Sequence, residues 1–179
     1  ICYVRAAVGQ WLPEWRPGRD YRTGYASTRD QGGGVLLDLI HEVELVQSLF
    51  GKIQDKRIYK GKCRKLEIET ESIATINGIF ENGAICHIEM DYIRRNYVRE
   101  LEIVGDLGSL YWDYSKQRLI LSQAGREDIV NELSDQEFNR NDMYLDHMRH
   151  FIARIENPSI GALSHLHESM SALETVLEN

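Results

Sequence analysis

The stretch Gly32-Gly33-Gly34-Val35-Leu36-Leu37-Asp38-Leu39-Ile40-His41-Glu42-Val43-Glu44-Leu45-Val46-Gln47-Ser48-Leu49-Phe50-Gly51 decides how this chain folds. Val35, Leu36, Leu39, Val43, Val46, Leu49 and Phe50 recur at a helical period, and Gly51 stands where a helix stops. The pattern predicts one buried helix. The glycines ahead of it permit backbone angles and close approaches closed to residues with a Cβ, so a neighbouring segment or a ligand can lie against the helix start. Into this apolar helix the sequence sets Asp38 and His41, one turn apart and on one face. Ionisable groups at that depth need partners. Two readings stand: a structural pair, with the acid favoured by the helix dipole and the imidazole bonded to it, or a catalytic pair.

Composition narrows the setting. The chain has 179 residues, of which 42% are hydrophobic, enough for one sizeable core, and no boundary divides it into comparable halves. We expect a single domain over residues 1–179. A formal charge of -7 disfavours a surface for nucleic acid or for an anionic membrane. Cys2, Cys63 and Cys86 are scattered without a C-x-x-C pattern, which fits a reducing cytoplasm and no disulfide framework. No run is long and apolar enough for a membrane span. Ile1 to Gly9 reads as a strand beginning without an initiating Met, so we expect a piece of a longer protein with a partner domain elsewhere.

Around the decisive helix the rest follows. Gln10 to Ser27 holds Pro13 and Pro17, Trp11 and Trp15, and Arg16, Arg19 and Arg22, and is expected to be a loop without regular structure. Its rings and guanidinium groups suit a cleft that stacks on a sugar face and grips hydroxyls or a carboxylate; they equally suit an ordered loop packed on the domain. After the helix come a strand, Ile53 to Tyr59, and a basic connection, Lys60 to Lys65. Glu71 to Phe80 and Ala84 to Tyr92 form a hairpin about Asn82-Gly83, and Arg99 to Gly105, Leu110 to Tyr114 and Gln117 to Ser122 extend it as a meander. A second helix is expected from Asp135 to Asn157, with Phe138, Met143, Tyr144, Met148, Phe151, Ile152 and Ile155 at helical intervals, and a last one from Glu168 to Leu177. His147 and His150 share a face of the second helix, but nothing completes a metal-ligand set, so no metal is expected. His165 and His167 are expected to point different ways at the surface. The class is α+β: a mostly antiparallel sheet with helices on one face. The mixed polarity of His87, Glu89 and Asp91 leaves the other face for contact between subunits, most simply a homo-oligomer.

Several of these motifs together resemble the C-terminal domain of the glucose-fructose oxidoreductase / inositol dehydrogenase / rhizopine-catabolism (Gfo/Idh/MocA) family. They are Gly32 to Asp38 followed by His41 and closed by Leu49-Phe50-Gly51; Phe80-Glu81-Asn82-Gly83-Ala84; Leu101 to Leu110; and the two C-terminal helices around Asn157-Pro158. The resemblance covers essentially the whole chain. It implies an NAD- or NADP-dependent oxidoreductase acting on a sugar, cyclitol or related polyol, with the cofactor bound mainly by an N-terminal Rossmann domain. This chain carries neither that domain's G-x-G-x-x-G nor the Glu-Lys-Pro of the usual catalytic lysine. By the same resemblance Asp38 orients the substrate and His41 exchanges its proton, the pair standing three apart where many relatives have four. Arg16, Tyr21, Arg22 and Tyr25 would close over the substrate, and Gly33 and Gly34 would let it approach. The family also contains NAD-dependent glycosidases, and its scaffold can serve as a non-catalytic sugar-sensing module; both remain alternatives.

Overall fold

The computed structural model describes residues 1–133, 139–162 and 165–177. Its strands are β1 (Tyr3–Gly9), β2 (Ile53–Gly61), β3 (Ile73–Phe80), β4 (Ile85–Asp91), β5 (Val98–Gly105), β6 (Gly108–Asp113), β7 (Arg118–Gln123) and β8 (Ile129–Glu132). Its helices are α1 (Val35–Asp38), α2 (His41–Phe50), α3 (Arg140–Glu156) and α4 (Leu166–Leu177). All eight strands form one sheet in the order β2-β3-β4-β1-β5-β6-β7-β8. The expected meander is therefore split. The chain crosses from β4 to β5 over the width of one strand, and β1 fills that gap, parallel to β4 and antiparallel to β5.

Period-two patterning sets the two faces. Val4, Ala6 and Val8 of β1, with Ile76 of β3 and Cys86, Ile88 and Met90 of β4, are all buried on the helix-covered face. Against them lie Val35 and Leu36 of α1, Val43 and Val46 of α2, and Ala172 and Val176 of α4. A buried amide locks this layer: Gln47 Oε1 accepts from Thr175 Oγ1 at 3.0 Å and from the Ile53 backbone N–H at 3.2 Å, joining α2, α4 and β2. The opposite face carries charge. Arg5 Nη2 meets Glu89 at 2.5 Å, Arg94 meets Glu89 at 3.0 Å and Asp91 at 2.7 Å, and all but Asp91 keep about a quarter of their side chains exposed. Burial opposes ionisation of Glu89, but hydrogen bonds from Arg94 and Arg5 outweigh it and hold its carboxyl below the usual range.

Several expectations are corrected. The decisive stretch is two helices, not one: Leu39, at φ -107° and ψ 21°, leaves the helical region, so Asp38 ends α1 and His41 opens α2. The cause is tertiary. Gly34 N–H donates to Ala26 O and Val35 N–H to Glu71 O, pinning the start of α1 to a loop and to the chain before β3, while Gln47 pins α2 to α4. Leu49, assigned to the buried stripe, is 54% exposed. Lys60 and Gly61 continue β2, and Arg64–Leu66 is a 3₁₀ turn within the expected basic connection. The loop after β1 is a chain of single 3₁₀ turns at Leu12–Glu14, Tyr21–Thr23, Tyr25–Ser27 and Arg29–Gln31. The edge strand β8, exposed along its length, adds to the expected strands, its sequence offering no apolar alternation. Residues 134–138, where the second helix was expected to begin and which include Phe138, lie outside the described residues; α3 is helical from Arg140. His165 and His167 do not diverge: their rings stack with centroids 5.4 Å apart, because His165 precedes α4 and its N–H is capped by Glu168.

Candidate functional site

The site begins with the end of α1. Asp38 Oδ1 accepts a hydrogen bond from Tyr25 Oη at 2.5 Å and Oδ2 accepts one from Tyr92 Oη at 3.0 Å. Tyr92, fully buried just beyond β4, is held protonated by burial and then by the charge of Asp38 beside it. Tyr25, 40% exposed, is held protonated chiefly by its bond to Asp38 and secondarily by burial. Both phenols are thus fixed as donors, and Asp38 accepts from each. Rings brace the arrangement: Trp15 meets Tyr92 edge to face at 5.3 Å, and the Arg16 guanidinium lies over the Tyr25 ring at 5.5 Å.

His41 opens α2 with its side chain 45% exposed, and it does not bond to Asp38. Its Nε2 instead lies 3.2 Å from Glu42 Oε1. Glu42 is fully buried, and Arg99 Nε of β5 approaches the same oxygen at 2.6 Å. Both are ion-pair approaches without hydrogen-bond alignment, which leaves the two carboxylate oxygens and Arg99 Nε without an aligned partner among the described residues. The Arg99 guanidinium is set over the rings of Trp112 and Tyr114 at 5.7 and 5.4 Å. Asp38 and His41 come together as walls of one open cleft of about 230 Å³, with Trp15, Tyr97, Arg99 and Arg140. Trp15 is also a wall of an adjoining cavity of about 180 Å³ in the loop, lined by Arg16, Tyr21 and Tyr25.

The second group of expected residues divides. Arg16 and Tyr25 reach Asp38 through the stack just described, and Tyr21 lines the loop cavity. Arg22 turns away, pairing with Asp20 at 2.9 Å and with Glu67 at 3.2 Å. Gly33 and Gly34 meet this chain itself: a Cβ on Gly33 would lie 2.7 Å from Ala26 O, and Gly34, at φ +115°, has Glu71 against it. Glu71 accepts from Leu36 N–H and so helps to satisfy the exposed start of α1. The reading of the sequence missed Glu42, Tyr92, Tyr97, Arg99 and Arg140. Only Glu42 left a signal there, a charge falling on the buried stripe between Leu39 and Val46. Among the described residues no cluster of three or more His, Cys, Asp or Glu side chains is placed to hold a metal ion; His150, one of the paired histidines, bonds Gly161 O at 3.0 Å.

A mostly antiparallel sheet covered on one face by helices, with a carboxylate and an imidazole at the junction of the first two, defines the class: an α+β domain with a polar cleft at the end of its first helix. The model of the GFO/IDH/MocA C-terminal domain matches residues 1–111, and the chain belongs to that family. Among solved structures it is similar to UDP-N-acetylglucosamine 3-dehydrogenase GnnA from Acidithiobacillus ferrooxidans, with 18% identity, a TM-score of 0.76, and coverage of 98% of this chain and 51% of that one. It is similar to levoglucosan dehydrogenase in complex with NADH and L-sorbose, with 15% identity, a TM-score of 0.80, and coverage of 99% and 56%. It is also similar to an NAD binding oxidoreductase from Klebsiella pneumoniae, with 19% identity, a TM-score of 0.60, and coverage of 74% and 39%. The chain thus spans about half the length of the first two. Comparison with curated protein sequences gives no match. No described helix is long and apolar enough to cross a membrane.

Proposed function

We propose that this chain is the substrate-binding domain of an NAD- or NADP-dependent oxidoreductase that moves hydride between the nicotinamide and a hydroxyl-bearing carbon of a sugar, cyclitol or related polyol. The observation that carries this reading is the cleft in which Asp38, gripped by two phenol hydroxyls, faces the same space as the half-exposed His41. Family membership and the sugar dehydrogenases among the similar folds support it. The cofactor, when bound, supplies the hydride acceptor or donor. The donor set here suits the alcohol side of such a transfer. Gly33 and Gly34 are occupied by contacts with Tyr25, Ala26 and Glu71 and offer no phosphate cradle there. In this reading a dinucleotide-binding domain elsewhere in the full-length protein holds most of the cofactor, in keeping with similar structures about twice as long.

In this reading His41 exchanges the proton of the reacting hydroxyl, work suited to an imidazole near neutral pH. Asp38 orients the substrate as a fixed acceptor, and Arg16 and Tyr25 close the neighbouring loop over it. The half-buried charged face with Arg5, Glu89 and Arg94 joins copies of the protein into a homo-oligomer, working in the cytoplasm. The test is an assay of the full-length parent with NAD and with NADP against sugars, uronates, inositols and nucleotide sugars. Reduction of the cofactor is expected with at least one; no reduction with any of them, cofactor binding being shown separately, overturns the reading.

A further inference from the structure

Glu42 is the charged residue that neither the fold nor the proposed chemistry has used. It sits at 0% exposure on the buried stripe of α2, beside Val43 and Val46, where a carboxylate needs compensation. Neither of its oxygens has an aligned donor among the described residues, and its two close neighbours are Arg99 Nε at 2.6 Å and His41 Nε2 at 3.2 Å. Arg99 lies over the rings of Trp112 and Tyr114, and the other group that faces Glu42 is the half-exposed imidazole.

We propose that Glu42 is the positioning residue of His41, a role that rests on the oxidoreductase reading above. A carboxylate only accepts, so in this role Nε2, the ring nitrogen 3.2 Å from it, carries the proton. Nδ1, which has no partner among the described residues, keeps its lone pair and is the atom that meets the substrate. When the alcohol is oxidised, its O–H bond breaks and the proton passes to Nδ1. The C–H electron pair would leave as hydride, for which a bound oxidised nicotinamide would be the acceptor, and the carbon and oxygen would be left doubly bonded. The imidazolium so formed faces the Glu42 carboxyl group. Arg99 holds that carboxylate from its other side. Glu42 acts only through His41, touching neither substrate nor cofactor.

The test is a double-mutant cycle in the full-length parent with Glu42→Gln, His41→Ala and the double variant. Glutamine keeps the volume but can present an N–H to the imidazole and so favour the wrong tautomer. Glu42→Gln is expected to lower kcat about 10- to 100-fold, within the contribution of a positioned acid or base, with KM changed less than about twofold. In the His41→Ala background the same change should alter kcat less than about twofold. An equal loss in both backgrounds, or an effect confined to KM, overturns the proposal. Should Glu42→Gln fail to fold, or the wild type turn over no substrate, nitrogen-15 imidazole NMR of the full-length wild type decides independently. With the His41 signals assigned by their loss in His41→Ala, protonated Nε2 and bare Nδ1 are expected, and the opposite tautomer refutes the role. Failure of turnover with the expected tautomer would sink the oxidoreductase reading and leave the Glu42–His41 arrangement standing.

Discussion

Replacing Tyr92 by Phe removes one hydroxyl from a fully buried ring and leaves its edge-to-face contact with Trp15 in place, so it isolates the bond to Asp38 Oδ2. Loss of a hydrogen bond to a charged acceptor costs about 1.5–3 kcal/mol. Asp38 is only partly buried, and water can replace some of the lost donor, so the lower part of that range applies: about 2 kcal/mol. For a chain of this size that corresponds to a Tm lower by about 4–8 °C. The matching Tyr25→Phe change removes a bond that is shorter, 2.5 Å, but lies on a 40%-exposed ring where water competes, and should cost about 0.5–1 kcal/mol. Because both phenols serve one carboxylate, the double variant should depart from additivity. Urea unfolding of the three variants and wild type, with slopes compared to confirm a common unfolded state, measures all four corners. A Tyr92→Phe cost below about 0.5 kcal/mol, or a Tyr25→Phe cost equal to it, would refute the view that buried and exposed phenols hold Asp38 unequally.

Three further outcomes follow from the packing and the ionisation states. Gly33→Ala places a Cβ inside contact distance of the Tyr25 and Ala26 carbonyls, backbone that cannot swing aside, and should cost about 2–4 kcal/mol by urea unfolding. Asp113, 2% exposed, has its carboxyl held below the usual range: burial opposes this, but bonds from Ser115 and Lys116 prevail. A lowered native value means that its stabilisation is present above the unfolded carboxylate's range and is lost as the pH falls through the native one. The stability gap between wild type and Asp113→Ala, about 1–2 kcal/mol near neutrality, should therefore shrink on acidification from pH about 6 to about 3, read by Tm at each pH. Burial pushes the Cys86 thiol up to about 12, so alkylation followed by mass spectrometry should label exposed Cys2 promptly and Cys86 only on unfolding.

What was legible in the sequence was what depends on short-range pattern. The hairpin about Asn82-Gly83 and the alternation of Cys86, Ile88 and Met90 announced β3 and β4 because turn chemistry and period-two burial are local. The place of β1 was not legible, since its insertion between β4 and β5 depends on a crossover set by the whole sheet. The spacing of Asp38 and His41 suggested one helical face. The break at Leu39 came from contacts of Gly34 with Ala26 and of Val35 with Glu71, residues distant from it in the chain. The site was half legible for the same reason. Asp38, His41, Arg16 and Tyr25 stand in a recognisable order, whereas Tyr92, Arg99 and Arg140 reach the cleft from separate elements and have no local signature. Glu42 was visible as a charge on an apolar stripe, and its meaning came only with Arg99 and His41 beside it. Arg22, chemically as plausible as Arg16, is consumed by Asp20 and Glu67, a pairing with Glu67 that only the folded chain brings about.

The measurement that bears most directly on the central claim is nicotinamide reduction by the full-length parent and its His41→Ala variant, with cofactor affinity determined for both. The account expects turnover of a sugar or cyclitol alcohol by the wild type, and in His41→Ala a loss of about 10²- to 10⁴-fold in kcat with cofactor affinity unchanged. Wild-type turnover that survives intact in His41→Ala, or the absence of any turnover while the cofactor binds, would contradict it.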